Sequence, residues 1–256
     1  MKKEFGLVLI ALFFLSLNNT FTAVYALDKD GKEVVLIEEK ADISGDGKED
    51  TIFLKGIPYE EGASYLKEIF LQITGSNGKS ERVELEGGYE PGVTFVDLNH
   101  DDIEDMLISI PSGGSGGMTN YSLFTYKDFQ LKEIAPPDPL TITSQFLDQY
   151  QAKITIENTG QSYNFDLKSR KNDYDRLGIY QNGKLNEPRE LMVDPYSTLK
   201  PVKINDNSYG LKAIQQISGA YHADGIAFIE STWNYENGKW LLLDTKVMER
   251  KQRVKR

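Results

Sequence analysis

Asp42-Ile-Ser-Gly-Asp-Gly-Lys-Glu-Asp50 runs directly into Thr51-Ile-Phe-Leu54. An acidic stretch with two glycines ends in a β-branched and aromatic run, which reads as a tight loop feeding a β-strand. The juncture recurs 55 residues later, where Asp97-Leu-Asn-His-Asp-Asp-Ile-Glu-Asp105 passes into Met106-Leu-Ile-Ser-Ile110. Outward from these loops the chain keeps the same texture. Short runs such as Glu68–Thr74, Tyr121–Tyr126, Ala152–Glu157, Ser162–Leu167, Gly225–Glu230 and Lys239–Leu243 are punctuated by turn residues. Asn77-Gly78, Asn182-Gly183 and Asn237-Gly238 stand where tight hairpin turns demand positive φ. Leu211–Ile217 and a stretch near Tyr65 read as the only short helices. The expected class is all-β, built of antiparallel units.

Laid against itself at an offset of about 105 residues, the chain aligns Asn77-Gly-Lys79 with Asn182-Gly-Lys184 and, one residue further, Val96–Asn99 with Val202–Asn205. Pro111–Gly117 then falls on Ile217–Ala223. This pattern predicts an internal duplication. Residues 27–134 form a first β half carrying both acidic loops, and residues 140–248 a second, degenerate half. Ala135-Pro-Pro-Asp-Pro139 is the linker between them. Because the acidic loops are spaced by about half the offset, each half would hold two units, giving four in all.

The two acidic loops share oxygen-bearing side chains at positions 1, 3, 5 and 9. That spacing suits calcium, a hard cation that takes six to eight oxygens and accepts them from alternate side chains of a tightly turning loop. The first loop offers Asp42, Ser44, Asp46 and Asp50 with the Lys48 carbonyl; the second offers Asp97, Asn99, Asp101 and Asp105 with the Ile103 carbonyl. Position 6, where such a loop turns sharply, holds Gly47 in one and Asp102 in the other. EF-hand geometry is disfavoured, since position 12 holds Phe53 and Ile108 instead of a bidentate Glu. His100 is expected to face solvent.

Asp-Ile-Ser-Gly-Asp-Gly-Lys-Glu-Asp-Thr-Ile-Phe-Leu resembles the calcium loop of FG-GAP and VCBS-type repeats of integrin-like β-propellers. The resemblance covers about 30 residues, and the Phe-Gly and Gly-Ala-Pro signature is absent. It implies two structural calcium ions that pin loops between strands. With four units it implies a small four-bladed or partial propeller. Lys203-Ile-Asn-Asp-Asn207 keeps Asn205 and Asn207 but lacks the opening and closing carboxylates, so no metal is expected there.

Residues 1–26 read as a secretory signal peptide: Lys2 and Lys3, an apolar run Phe5–Leu17, then Val24-Tyr-Ala26. The run is 13 residues long, against the roughly 20 that cross a bilayer as a helix, so no permanent membrane anchor is expected. Without the leader the chain holds 27 basic and 38 acidic residues, a net charge of −11, which disfavours nucleic acid as a partner. No cysteine is present, so the secreted, extracytoplasmic protein must rely on its core and on metal rather than disulfides. The basic tail, residues 249–256, reads as a solvated end or as a docking site for anionic wall polymer or lipid.

Gly113-Gly-Ser-Gly-Gly117 formally matches a nucleophile elbow, with His222 following in hydrolase order. An elbow needs a helix after the serine, whereas Met118–Tyr126 reads as strand, so no catalytic residue is assigned. Loops on a rigid scaffold are where binding resides; Ser115, Tyr121, Tyr221 and His222 are the candidate ligand-binding residues, and Trp233 and Trp240 read as core. The leading expectation is a non-enzymatic calcium-binding scaffold that engages a cell-surface protein or polymer. A secreted hydrolase and a structural envelope or coat component are the alternatives.

Overall fold

The computed structural model describes residues 33–206 and 208–250. The expected signal peptide, residues 1–26, lies outside the described residues, as do residues 251–256 of the basic tail. The chain is all-β, in open sheets whose paired strands all run antiparallel. The first sheet is the meander β1 (Val34–Ala41), β2 (Asp50–Pro58), β3 (Tyr65–Thr74) and β4 (Ser80–Leu85), with β5 (Gly88–Tyr89) also paired to β3. The second is the meander β6 (Gly92–Val96), β7 (Asp105–Pro111), β8 (Thr119–Thr125) and β9 (Lys132–Ile134). Beyond the proline segment come β10 (Ile142–Leu147), β11 (Gln151–Ile156) and β12 (Gln161–Asp166), then helix α1 (Lys171–Arg176) and the hairpin of β13 (Tyr180–Gln181) and β14 (Lys184–Leu185). A last four-stranded meander holds β15 (Met192–Asn205), β16 (Ser208–Ser218), β17 (Gly225–Glu236) and β18 (Lys239–Glu249).

Burial shows how these sheets stack. In β2 the buried positions Asp50, Ile52, Leu54 and Gly56 alternate with half-buried ones, the period-2 pattern of a strand with one face on a core. In β7 Asp105, Met106, Leu107 and Ile108 are all buried, so both faces of that strand are covered. Met106, Ile108 and Ile110 pack with Ile52, Leu54, Ile69, Leu71 and Ile73 of the first sheet. Leu107 and Leu123 join a different cluster with Ile154, Leu211, Ile229 and Trp233. Sheet β6–β9 is therefore a middle layer between the first sheet and the C-terminal half. Trp233 lies in this second core and Trp240 packs against it, donating its indole N–H to the Ala135 carbonyl of the linker at 2.8 Å.

Local chemistry accounts for the turns. Asn182-Gly183 and Asn237-Gly238 have φ of 54°, 80°, 52° and 78°, the paired left-handed residues of two-residue hairpins. Asn77-Gly78 differs: only Gly78 has positive φ (82°), and Gly75 N–H reaches the Lys79 carbonyl across a longer loop. The two segments read as helices are strands. Leu211–Ile217 lies in β16, and Tyr65 opens β3. Leu, Lys, Ala and Gln favour helix locally, yet β16 is paired on both sides, with β15 and with β17, and tertiary pairing overrides propensity.

At the 105-residue shift, β6 to β9 fall on 197–201, 210–216, 224–230 and 237–239, within or at the borders of β15 to β18 in the same order. The other sheets do not correspond. β2 falls on 155–163, across the β11–β12 turn, and β3 falls on 170–179, which holds α1. The third of the four expected units is instead a three-stranded meander, a helix and a small hairpin.

Substitution of Ile108, fully buried in the middle layer, by Ala should cost about 2–5 kcal/mol in urea unfolding. Leu243→Ala, half exposed on β18, should stay within about 0.5 kcal/mol.

Candidate functional site

The two acidic loops connect β1 to β2 and β6 to β7, and they fold alike position for position. Asp42 accepts hydrogen bonds from the N–H groups of Gly45 and Gly47, both at 2.8 Å, and Asp46 from Lys48 at 2.9 Å. Asp50, fully buried, accepts from Ile43 at 3.1 Å and Ser44 at 2.9 Å. In the second loop Asp97 accepts from His100 at 2.7 Å and Asp102 at 3.0 Å, Asp101 from Ile103 at 3.1 Å, and buried Asp105 from Leu98 at 2.9 Å and Asn99 at 3.1 Å. Positions 4 and 6 are left-handed in both, at φ 80° and 82° for Gly45 and Gly47 and 63° and 66° for His100 and Asp102. The first carboxylate closes the turn, and the ninth ties its start to the following strand. Position 4 was not singled out in the sequence, although Gly45 marks it in one loop.

The loops differ in what else they hold. In the first, Ser76 of the β3–β4 turn donates its N–H to Asp50 at 2.8 Å and its hydroxyl to Asp46 at 2.7 Å, which draws the Asp46 carboxyl below its usual range. Ser44 Oγ stands 3.4 Å from Asp50 Oδ1. In the second, the Lys127 ammonium lies 3.4 Å from the Asp101 carboxylate and 3.0 Å from its carbonyl. Asn99 donates its amide N–H to Asp105 at 3.0 Å, which fixes the amide's orientation and leaves Asn99 Oδ1 buried with no partner. Burial pushes the Asp105 carboxyl up to about 6, against the two backbone donors; Asp101 and Asp97 push it the same way. The Lys48 and Ile103 side chains do not take part in these bonds, and only their carbonyls were expected to. Among the described residues no three His, Asp or Glu side chains converge as a ready-made metal cluster.

The loops form a row at one end of the stacked sheets. A Cβ on Gly45 would sit 2.6 Å from Ile103 Cδ1, so the backbone of the first loop lies directly on a side chain of the second. Asp128 N–H reaches the Ser44 carbonyl at 3.0 Å. His100 is exposed, as expected, but its Nε2 stands 2.9 Å from the Tyr209 carbonyl on β16. There the end of β15, where no metal was expected, pairs back on β16 with Lys203 opposite Tyr209 and Asn205 opposite Ser208.

A second row of loops contains the Gly-rich segment. Gly113 lies on the Tyr89 ring, and a Cβ on Gly116 would stand 3.5 Å from His222 Nδ1. The β7–β8 and β16–β17 loops are thus neighbours. His222 Nδ1 is 2.8 Å from Oδ1 of buried Asp194 but out of line for a hydrogen bond, so the contact attracts when the ring is protonated. Ser115 is exposed, and among the described residues no hydrogen bond joins it to His222. Tyr221 is exposed and donates to Asp173 at 3.2 Å. Tyr121 stands apart from this group: half-buried on β8, it accepts the Leu199 N–H at 2.9 Å.

Sequence reading missed the ionic knot beneath the His222 loop. Arg170 Nε donates to Asp224 at 2.8 Å and its Nη2 to the Gly225 carbonyl at 2.8 Å, both charged groups being buried. Tyr174 of α1 donates to the other Asp224 oxygen at 2.5 Å. Desolvation and the neighbouring carboxylate drive the Tyr174 phenol far above its ordinary range.

Fold and loops together define a class: an all-β protein of open antiparallel meanders with a row of aspartate-closed loops at one end. Residues 140–248 match the family described as the YybI C-terminal domain. The uncharacterized protein YybI of Bacillus subtilis (strain 168) is 30% identical over 210 residues, which cover 78% of this chain and 80% of that protein. The chain belongs to the YybI family. No solved structure matches it.

Asp50→Ala strands the N–H groups of Ile43, Ser44 and Ser76 and should lower stability by about 2–4 kcal/mol even with chelator present, as read by denaturant titration. Arg170→Ala leaves Asp224 buried without its cation and should cost about 3–5 kcal/mol. Arg176→Ala, at an exposed pair with Asp173, should change stability by less than about 1 kcal/mol.

Proposed function

We propose that this protein is a non-enzymatic, extracytoplasmic β scaffold that binds calcium in the loops Asp42–Asp50 and Asp97–Asp105 and presents its opposite loops to a cell-surface protein or polymer. One observation carries the calcium reading: a second-loop oxygen at a ligand position, Asn99 Oδ1, is buried without a hydrogen-bond partner. A buried acceptor left unpaired is costly, and a cation would satisfy it. The duplicated hydrogen-bond pattern supports a common role for both loops, and the resemblance to FG-GAP and VCBS repeats points the same way. Asp42, Ser44, Asp46 and Asp50 with the Lys48 carbonyl would hold one ion, and Asp97, Asn99, Asp101 and Asp105 with the Ile103 carbonyl the other. When bound, calcium would neutralise carboxylates crowded into a few residues and brace the row of loops. Each loop is already closed by its own N–H groups, so the expected role is bracing, not folding the loop from nothing. The sheets β1–β5 and β6–β9, stacked face to face with their loops in register, are read as blade-like units of a partial propeller.

The Lys127 ammonium already lies on Asp101, so the second loop should bind more weakly than the first. Calorimetry should find two sites, Asp46→Ala and Asp101→Ala each removing one, and Lys127→Gln strengthening the second. For dissociation constants of about 10⁻⁴ to 10⁻³ M, 10 mM calcium should stabilise the fold by about 1.4–2.7 kcal/mol per site. A melting temperature indifferent to millimolar calcium and to chelator would overturn the reading.

A further inference from the structure

Between the two N-terminal sheets and the start of β15 lies an open cleft of about 510 Å³. Its walls are strand edges. Val83, Glu84, Leu85 and Glu86, consecutive along β4 and just past its end, all line the cleft. Side chains alternate across a strand, so four neighbours in a row mean that β4 meets the cleft edge-on. Among the described residues β4 pairs with β3 alone, which leaves its outer edge free of a described strand. The opposite wall is Thr119–Ser122 of β8, also consecutive. β8 begins pairing with β9 only at Leu123, so this stretch too has an open edge.

The remaining lining settles the chemistry of an occupant. Pro136, Pro139 and Pro195 border the cleft and have no N–H to offer either edge. The hydroxyls of Tyr121 and Tyr196 are engaged elsewhere, with Leu199 N–H and the Asp138 carbonyl, and present their rings as fixed apolar walls. Glu84, Glu86 and Glu133 line it, and among the described residues none has a cation within ion-pair distance. Glu86 takes only a long hydrogen bond from Asn120, at 3.4 Å. Two open edges ask for an extended backbone, and three unpaired carboxylates ask for positive side chains.

We propose that this cleft binds an extended, lysine- or arginine-rich peptide segment, which adds as a strand to the free edge of β4 and sets its cations against Glu84, Glu86 and Glu133. The proposal does not depend on the acidic loops holding calcium, because none of their residues lines the cleft.

The test is fluorescence anisotropy of the full chain, in chelator and at low salt, with a labelled eight-residue peptide of alternating Lys and Thr. Its comparison is the same peptide N-methylated at alternate amides, which keeps the charge and blocks strand pairing. Micromolar binding is expected, weakened at least tenfold by N-methylation and by the triple variant Glu84→Gln/Glu86→Gln/Glu133→Gln. These three residues are exposed, and an unchanged melting temperature will show that the variant is folded. Three results would each overturn the proposal: no binding at millimolar peptide, equal binding of the N-methylated peptide, or equal binding by the triple variant. The first would assign the glutamates to guarding the edges against aggregation. The second would leave an acidic surface that reads charge alone.

Discussion

A sheet buried on both faces cannot alternate apolar with polar residues, and β6–β9 is the sheet on which that constraint falls. Met106 and Ile108 face one core and Leu107 the other, so neither neighbouring layer is complete without this sheet. Its antiparallel course also fixes where loops emerge. The β6–β7 connection leaves one end of the stack and the β7–β8 connection the other. With β1–β2 and β15–β16 beside it at the first end, and β16–β17 at the second, the stack carries two separate rows of connections. The acidic loops and the Gly-rich loop therefore occupy different ends of the same strands and do not form one site.

The acidic row is closed internally, and this has an electrostatic cost. Carboxylates at positions 1, 5 and 9 satisfy backbone donors that a left-handed turn would otherwise leave unpaired, but they also bring like charges together. The second loop answers in part with Lys127 and still leaves Asp105 resisting ionisation and Asn99 Oδ1 unpaired. The first relies on Ser76, a neutral donor. In the C-terminal meander the corresponding connection shrinks to the hairpin between Asn205 and Ser208.

Legibility in the sequence followed the range of the interactions. Strands such as β2, with period-2 burial, could be read locally, as could the hairpin glycines Gly183 and Gly238. So could the acidic loops, since spacing alone places their oxygens. Leu211–Ile217 was misread because its helix-favouring residues are held extended by β15 and β17, partners brought in from elsewhere in the chain. α1 escaped because its six residues carry no apolar stripe; Tyr174 alone is buried, against Phe146 and Tyr180. Arg170 and Asp224 looked like ordinary surface charges in sequence, and only the fold shows that they share a buried contact. Asp194 likewise meets His222 across a sheet, with no spacing to announce it.

Open sheets leave edges, and each edge must be paired, covered or made unattractive. β15 carries Pro195 and Pro201, and β8 is partly covered by β9. β4 has neither device: it holds no proline, and its charges alternate, with Glu81, Arg82 and Glu84 in succession. Arg82 is engaged by Glu33 and by the face of Phe70; it attracts Glu84 along the strand but forms no ion pair with it. Among the described residues, the charge that the cleft sets beside this edge is negative, from Glu84, Glu86 and Glu133. Such charge repels another acidic chain, including a second copy of this one, but it lowers the barrier for a basic strand. An edge guarded by one sign of charge is thereby selective for partners of the other sign.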